Sequence, residues 1–235
     1  MSQSWLVNNI LDTIAPARCG RCDQEGHWWC RPPGTIPPWP ICLKCRKPWH
    51  TKQTDTDCQA EIPIVYLGPY ADPSFRTMLY HWKYLGQWAI SLDWAKLLAT
   101  TLQTGQFLPG ILVPIPAHWS RQLTRGYNQA MVFAQQMAQA TGWPMMAALR
   151  RTRATKPQAE LDTNQRIINL QRAFAVRPQS MDHNQPIWLV DDIVTSGATI
   201  QAARAVFDNL NQKVVGVIAV ALAGLQDSDK HAIIS

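Results

Sequence analysis

An apolar run ends in two adjacent carboxylates, Asp191 and Asp192, and a turn of small residues follows them. The run itself, IWLV at positions 187–190, predicts a strand buried in a sheet, because short continuous apolar runs are typical of strands covered on both faces. Carboxylates at the end of such a strand are costly to bury unless they have a partner. The chain is therefore restricted to folds in which the carboxyl end of a buried strand meets a ligand.

The residues after the acidic pair predict an anion site at the start of a helix near Ile200. N–H groups at a helix N-terminus bind phosphate, and a glycine lets the backbone turn tightly. The residues of this turn are Thr195, Ser196, Gly197, Ala198 and Thr199. A phosphate here, beside two carboxylates, predicts a ligand with a phosphate and vicinal hydroxyls, such as ribose 5-phosphate with Mg²⁺. An ordinary capped helix would explain the hydroxyls but not the acids.

Strand and helix patterns alternate along the rest of the chain. Helical spacing is present in 80–103, with a break at Gly86, and again in 124–142, ending at Gly142. Apolar strands are predicted in 110–119 and 214–224. Alternation of this kind predicts an α/β fold with a mostly parallel sheet flanked by helices.

The N-terminal quarter of the chain has a different composition. All six cysteines lie between Cys19 and Cys58, and the segment RPPGTIPPWP at 31–40 is incompatible with a continuous helix or a central strand. Composition changes near Ile62. Two domains are therefore predicted, a Cys-rich module at 1–60 and the α/β domain at 61–235.

Two Cys-x2-Cys pairs predict a metal in this module. Each pair places two thiolates on one edge of a tetrahedron, so a structural zinc site is expected from Cys19, Cys22, Cys42 and Cys45. A repeated Cys-x2-Cys-x4-His spacing allows instead two sites of three cysteines and one histidine: Cys19, Cys22, His27 and Cys30, then Cys42, Cys45, His50 and Cys58. The sequence leaves both arrangements open.

Length, hydropathy and charge limit the classes of function. The chain of 235 residues has no apolar run near the roughly 20 residues of a membrane span and no secretion signal, so we expect a cytoplasmic protein without membrane insertion. Its formal net charge is +6, and residues 149–177 hold seven basic side chains against two acidic ones. Such a patch suits a phosphorylated ligand or a nucleic-acid backbone, although a solvated loop has the same composition.

These motifs resemble type I phosphoribosyltransferases. The segment LVDDIVTSGAT is similar to the loop that binds phosphoribosyl pyrophosphate (PRPP) in that family, with Ser196 in place of the usual threonine. The resemblance narrows to the ComF/GntX branch through VPIP (113–116), RGYNQA (125–130), Gln158 with Leu161, RIIN (166–169) and RAF (172–174). It implies a type I phosphoribosyltransferase fold with a small N-terminal Cys-rich zinc-binding module.

The resemblance also implies roles for individual residues. Asp191 and Asp192 are expected to hold the ribose hydroxyls as the catalytic pair, and Thr195 to Thr199 the 5′-phosphate. The loop at 114–117 would hold the pyrophosphate. The basic stretch at 150–172 takes the place of the mobile loop that closes over PRPP in related enzymes.

Two further positions are PRPP-binding candidates, and a third position, Thr195, bears on which reaction the chain could catalyse. Arg125 and Asn128 match a signature of the branch whose role is less defined. Relatives that act on 6-oxopurines carry a base-serving Asp where this chain has Thr195. Because threonine is not a general base near neutral pH, purine salvage is disfavoured, and whether the chain catalyses any transfer stays open.

The leading hypothesis is a ComF-like competence protein that binds PRPP and acts, with competence proteins, in uptake or handling of single-stranded DNA. Tryptophans among basic residues in the Cys-rich module are compatible with base stacking, although packing around a metal explains them as well. One alternative is a Mg²⁺-dependent phosphoribosyltransferase with a small acceptor. Another is a non-enzymatic, zinc-stabilised adaptor.

Overall fold

The structure is a computed structural model, and it describes residues 40–43, 46, 49, 62–84, 90–117, 127–152, 173–177 and 185–224. Within these residues there are seven strands and four helices. In chain order they are β1 (Ile41–Cys42), β2 (Pro63–Pro69), α1 (Pro73–Tyr84), α2 (Ile90–Thr104), β3 (Ile111–Pro114), α3 (Gln129–Thr141), β4 (Leu149–Arg151), β5 (Phe174–Val176), β6 (Ile187–Val194), α4 (Ala198–Asp208) and β7 (Val214–Leu222).

A five-stranded sheet forms the centre of the described part, with strand order β1-β2-β7-β6-β3. The strands β2, β7, β6 and β3 are parallel to one another, and only β1 runs antiparallel to its neighbour. The short strands β4 and β5 pair separately as an antiparallel ribbon. The prediction of an α/β fold with a mostly parallel sheet is confirmed.

Both faces of the sheet are covered, which explains the continuous apolar strands. On one face Ile187 and Leu189 of β6 pack in a cluster with Phe207 of α4. On the other face Trp188 and Val190 pack in a cluster with side chains of α1, α2 and α3. Because successive side chains of a strand point to opposite faces, a strand buried on both must be apolar at every position.

Trp188 anchors β6 three residues before the acidic pair. It lies opposite Gly216 of β7, where an added Cβ atom would come within 2.2 Å of the indole ring. Its indole nitrogen donates a hydrogen bond to the carbonyl of Leu108 at 3.1 Å. The glycine in β7 therefore makes room for the large ring that fixes β6.

Several predicted boundaries agree with the structure, and others are shifted. The helix in 124–142 is present as α3, and Gly142 ends it in the left-handed conformation with φ 74°. The strands predicted in 110–119 and 214–224 are present, although β3 ends at Pro114 and β7 at Leu222. The helical pattern in 80–103 belongs to α1 and α2, and Gly86 lies outside the described residues.

The end of β6 differs from the expectation. The strand continues through the acidic pair to Val194, because Asp191 pairs with Ala219 and Val194 with Leu222 of β7. The following helix begins at Ala198, two residues earlier than expected.

Residues from the predicted Cys-rich module take part in the sheet. Ile41 and Cys42 of β1 pair with Ile64 and Pro63 of β2. The rest of the module lies outside the described residues, apart from positions 40, 43, 46 and 49. The division at residue 60 stays a prediction, as does the cytoplasmic location. Among the helices that the structure describes, none is long and apolar enough to cross a membrane.

Candidate functional site

The carboxyl ends of β3 and β6 meet at one edge of the sheet and bring three predicted site segments together. The backbone N–H of Ile115, in the loop after β3, donates to the carbonyl of Val190 at 2.8 Å, directly before Asp191. The small-residue turn then continues from β6 into α4. The predicted pyrophosphate loop, the acidic pair and the predicted anion-binding turn at 195–199, called the anion turn below, are therefore neighbours.

The two carboxylates have different surroundings. Oδ1 of Asp191 accepts a hydrogen bond from the backbone N–H of Asp192 at 2.8 Å, and Oδ1 of Asp192 accepts one from the N–H of Ile193 at 2.7 Å. The other carboxylate oxygen of Asp192 forms an ion pair with the ammonium group of Lys83. The side chains of this pair are only 18% and 9% exposed, respectively, so solvent screens the ion pair weakly.

These surroundings shift the two acids in opposite directions. Burial raises the pKa of Asp191 well above its usual range, and the adjacent charge of Asp192 raises it further. Burial would also raise the pKa of Asp192, but the attraction of Lys83 and the hydrogen bonds from its neighbours outweigh burial and lower it. Burial thus favours the protonated form of Asp191, whereas Lys83 favours the ionised form of Asp192, and a cation bound at the pair would favour ionisation of both.

Lys83 is a site residue that the sequence analysis did not identify. It lies on the buried stripe of α1, whose members are Phe75, Met78, Leu79, Trp82 and Lys83. A lysine in an otherwise apolar stripe needs a buried partner, and that pattern was the available signal. The hydroxyl of Tyr127 donates to the carbonyls of Trp82 and Lys83, at 3.3 and 3.2 Å, and so holds the end of this helix.

Asn128, a PRPP-binding candidate, occupies a structural position next to the site. Its side-chain oxygen caps α3 by accepting from the N–H of Ala130 at 3.2 Å, and its amide nitrogen donates to the carbonyl of Ile115 at 3.0 Å. Asn128 thus fixes the loop after β3. Arg125, the other candidate from the same signature, lies outside the described residues.

The anion turn depends on Gly197, which is buried and has φ 82°. This residue caps α4 without a side chain, and an added Cβ atom would lie 3.1 Å from Cδ1 of Leu43. Thr195 and Ser196 are exposed, and Ser196 Oγ accepts from the N–H of Ala198 at 3.4 Å. The first N–H groups of α4 have no partner within the helix, so they can receive an anion.

Arg46 is a second residue that the sequence analysis did not place at the site. Its Nη2 donates to the carbonyl of Thr195 at 2.7 Å. Its Nη1 is buried and has no hydrogen-bond partner among the described residues, and burial lowers the pKa of this guanidinium group. Residues of the predicted Cys-rich module therefore meet the anion turn at two points, Arg46 at Thr195 and Leu43 next to Gly197.

The predicted metal ligands are described only in part. Cys42 is a buried, free thiol in β1, whereas Cys19, Cys22 and Cys45 lie outside the described residues, as do His27, Cys30, His50 and Cys58. Within the described part no group of three or more Cys, His, Asp or Glu side chains could hold a metal. Asp191 and Asp192 are carboxylates of the kind that Mg²⁺ uses together with the oxygens of a phosphorylated ligand.

The basic stretch is described only at its start. Arg150 is exposed on β4, and the guanidinium group of Arg151 lies 5.2 Å from the ring centre of Phe174 on β5. Residues 153–172 lie outside the described part. The first two residues of the predicted mobile loop, Arg150 and Arg151, therefore belong to strand β4 and pair with β5.

Together the fold and the site define an α/β protein with an acidic pair and a small-residue turn around Gly197 at the carboxyl edge of a mostly parallel sheet. No protein-family model matches the chain. It is 27% identical to "Competence protein F" of Haemophilus influenzae over 213 residues, 87% of this chain and 84% of that protein. It is also 27% identical to the "DNA utilization protein YhgH" of Escherichia coli K12 over 199 residues, 74% of this chain and 86% of that protein. These relatives support the resemblance to ComF-like proteins.

Solved structures with a partial likeness include two adenine phosphoribosyltransferases. The enzyme of Trypanosoma brucei, in complex with AMP, pyrophosphate and ribose-5-phosphate, has a TM-score of 0.41 at 10% identity, covering 62% of this chain and 70% of that chain. The enzyme of Leishmania donovani has a TM-score of 0.38 at 11% identity, covering 59% and 70%.

Proposed function

We propose that the chain is a ComF-like competence protein whose α/β domain binds PRPP, or a ribose-phosphate group of a nucleotide, together with Mg²⁺. The observation that carries this proposal is the pairing of Asp191 and Asp192 with the Gly197 turn at one sheet edge. Relatives named for competence and for DNA utilization support a role connected with DNA. That the DNA is single-stranded is part of the proposal.

Each part of the site would contact a different part of the ligand. The carboxylates Asp191 and Asp192 would accept hydrogen bonds from the ribose hydroxyls, and the N–H groups after Gly197 would receive the 5′-phosphate. The loop at 114–117 would lie against the pyrophosphate. Mg²⁺, when bound, would neutralise the charge of the phosphates and of the acidic pair.

Binding of PRPP and Mg²⁺ at this site should release a proton from Asp191. Because burial raises the pKa of Asp191 in the free protein, the arrival of a cation should release its proton. Titrations in buffers of different ionisation enthalpy should therefore report proton release when PRPP and Mg²⁺ bind.

The test is a calorimetric titration of PRPP with Mg²⁺, and of a single-stranded oligonucleotide, into the same preparation. We expect a dissociation constant for PRPP in the micromolar range, with proton release, and weaker, salt-dependent binding of the oligonucleotide. Ribose 5-phosphate is the matched control, since it lacks the pyrophosphate. Absence of PRPP binding at millimolar concentration would contradict the proposal.

Binding, rather than transfer to a 6-oxopurine, is favoured by the position of Thr195. Its side chain is exposed, and its carbonyl accepts from Arg46. Neither group can remove a proton from an acceptor near neutral pH.

We also propose that the Cys-rich module holds structural zinc, with Cys42 as one ligand. The buried position of this thiol in β1 fits a ligand of a small metal-stabilised module. Elemental analysis of the purified protein should find one or two zinc ions per chain. His27→Ala and His50→Ala should each lower the zinc content only if two sites of three cysteines and one histidine are present. A folded preparation without metal would contradict both arrangements.

A further inference from the structure

A cavity of about 710 Å³ opens beside the acidic pair, on the side of α1. Its wall includes Tyr70, Arg76, Tyr80, Lys83, Tyr84 and Ile193. Lys83 is the ion-pair partner of Asp192, and Ile193 follows Asp192 in β6. The cavity therefore borders the acidic pair through Lys83 and Ile193, although neither aspartate lines it.

Three side chains form a stripe along the exposed face of α1: Arg76, Tyr80 and Tyr84, which we call the tyrosine stripe. They are spaced four residues apart, so they lie one above another on the helix. Tyr80 is 55% exposed and Tyr84 51% exposed, whereas the opposite face of α1 holds its core contacts. Both tyrosine side chains are therefore partly open to solvent.

The chemistry of the tyrosine stripe fits unpaired bases. The rings of Tyr80 and Tyr84 lie with their centres 4.9 Å apart and their planes at 37°. Among the described residues no carboxylate pairs with Arg76, so its charge is available to a phosphate. Aromatic faces beside a cation are the combination that binds single-stranded nucleic acid without sequence preference.

The length of the tyrosine stripe favours a DNA strand over a single free base as its ligand. Eight residues of helix separate Arg76 from Tyr84, which is about 12 Å at about 1.5 Å per residue. That length corresponds to three or four stacked nucleotides at about 3.4 Å each. A single small acceptor would need only one of the two rings.

We propose that the tyrosine stripe binds the bases of single-stranded DNA beside the ribose-phosphate site. This inference rests on the DNA-handling part of the proposed function and assigns a surface to it. Fluorescence anisotropy with a labelled oligo-dT at low salt tests it. The Tyr80→Ala, Tyr84→Ala double variant should bind about 30-fold more weakly, as expected for the loss of two stacking partners. The Tyr80→Phe, Tyr84→Phe variant keeps both rings and should bind like the parent.

Arg76→Gln should reduce the salt dependence of binding by about one released ion. Truncation of an exposed side chain elsewhere, Leu108→Ala, is the control for a general surface effect and should leave the affinity unchanged. PRPP binding, measured by calorimetry, should be the same in the parent and in the tyrosine variants, which also shows that they are folded.

The outcomes separate the two proposals. If the parent binds oligo-dT and the double alanine variant binds it equally well, the tyrosine stripe is not the DNA surface, and the proposed function stands. If thymidine monophosphate displaces oligo-dT at equal nucleotide concentration, the cavity takes a single nucleotide, and the assignment to a strand is wrong. If the parent binds no DNA, the DNA part of the proposed function fails together with this inference, while PRPP binding is tested separately.

Discussion

Asp192→Asn is expected to destabilise the unliganded protein, by about 3 kcal/mol, because it leaves the buried ammonium group of Lys83 without its partner. For a protein of this size a loss of that magnitude lowers the melting temperature by roughly 6–12 °C. Asp191→Asn is expected to have the opposite effect and to stabilise the unliganded protein at neutral pH. It removes a carboxyl group whose ionised form burial disfavours, and asparagine can still accept the N–H of Asp192.

The pH dependence of these variants follows from the directions of the pKa shifts. The folded-state pKa of Asp191 is raised, so its favourable contribution is complete below the ordinary Asp pKa and is lost as pH rises through the folded value. The stability advantage of Asp191→Asn should therefore grow with rising pH. The folded-state pKa of Asp192 is lowered, so its contribution is present above the ordinary Asp pKa and is lost as pH falls through the folded value.

The measurement is denaturant unfolding of both variants at a series of pH values, from below the ordinary Asp pKa up to neutral pH. Both should also lose PRPP binding, so Asp191→Asn would be a stabler protein with a weaker site. Lys83→Met is the reciprocal control, since it removes the ammonium group and leaves Asp192 buried without a counter-charge. If Asp191→Asn proves less stable than the parent at neutral pH, the upward shift of the Asp191 pKa is wrong.

Gly197→Val is expected to abolish PRPP binding. The backbone at Gly197 has φ 82°, which a β-branched side chain rarely adopts, and the new Cβ atom would meet Leu43 at 3.1 Å. The turn must then change its shape, and the N–H groups at the start of α4 move away from the position of the phosphate. We expect a loss of at least 100-fold in affinity, measured by calorimetry.

Gly142→Val separates conformational strain from the loss of the site. Gly142 ends α3 with φ 74°, and its added Cβ atom would have nothing within 4 Å. This variant should therefore share the destabilisation that a side chain causes in the left-handed region, of about 1–2 kcal/mol, and keep its affinity for PRPP. Equal loss of binding in the two variants would show that the effect at Gly197 is one of global stability alone.

The sequence contained most of the local information about the site. The buried strand, the acidic pair, the glycine turn and the helix after it are consecutive in the chain, so periodicity and residue type were sufficient to predict their order. The Gly142 cap could be predicted for the same reason. The predicted end of β6 at Val190 was wrong, because the strand is extended by pairing of Asp191 with Ala219. Ala219 belongs to β7, a strand whose pairing with β6 the local sequence does not reveal.

The contacts that complete the site are long-range, and periodicity does not reveal them. Lys83 and Asp192 are 109 positions apart, and Arg46 and Thr195 are 149 positions apart. For Lys83 an anomalous charge in an apolar stripe was visible, but its partner was not. For Arg46 the surrounding cysteines and tryptophans suggested a metal or DNA, and nothing local indicated a contact with the anion turn.

The short strand β1 also has a consequence for the edge of the sheet. It pairs with the first two residues of β2, Pro63 and Ile64, whose backbone groups would otherwise lie unpaired at the edge of the sheet beside buried apolar side chains. Exposed edges of this kind pair with other chains and lead to aggregation. A fragment that begins at residue 61 would keep every parallel strand and still lose this protection. A fragment that resists aggregation should therefore extend upstream through at least residues 40–43, where the N–H of Leu43 also donates to the carbonyl of Ile62.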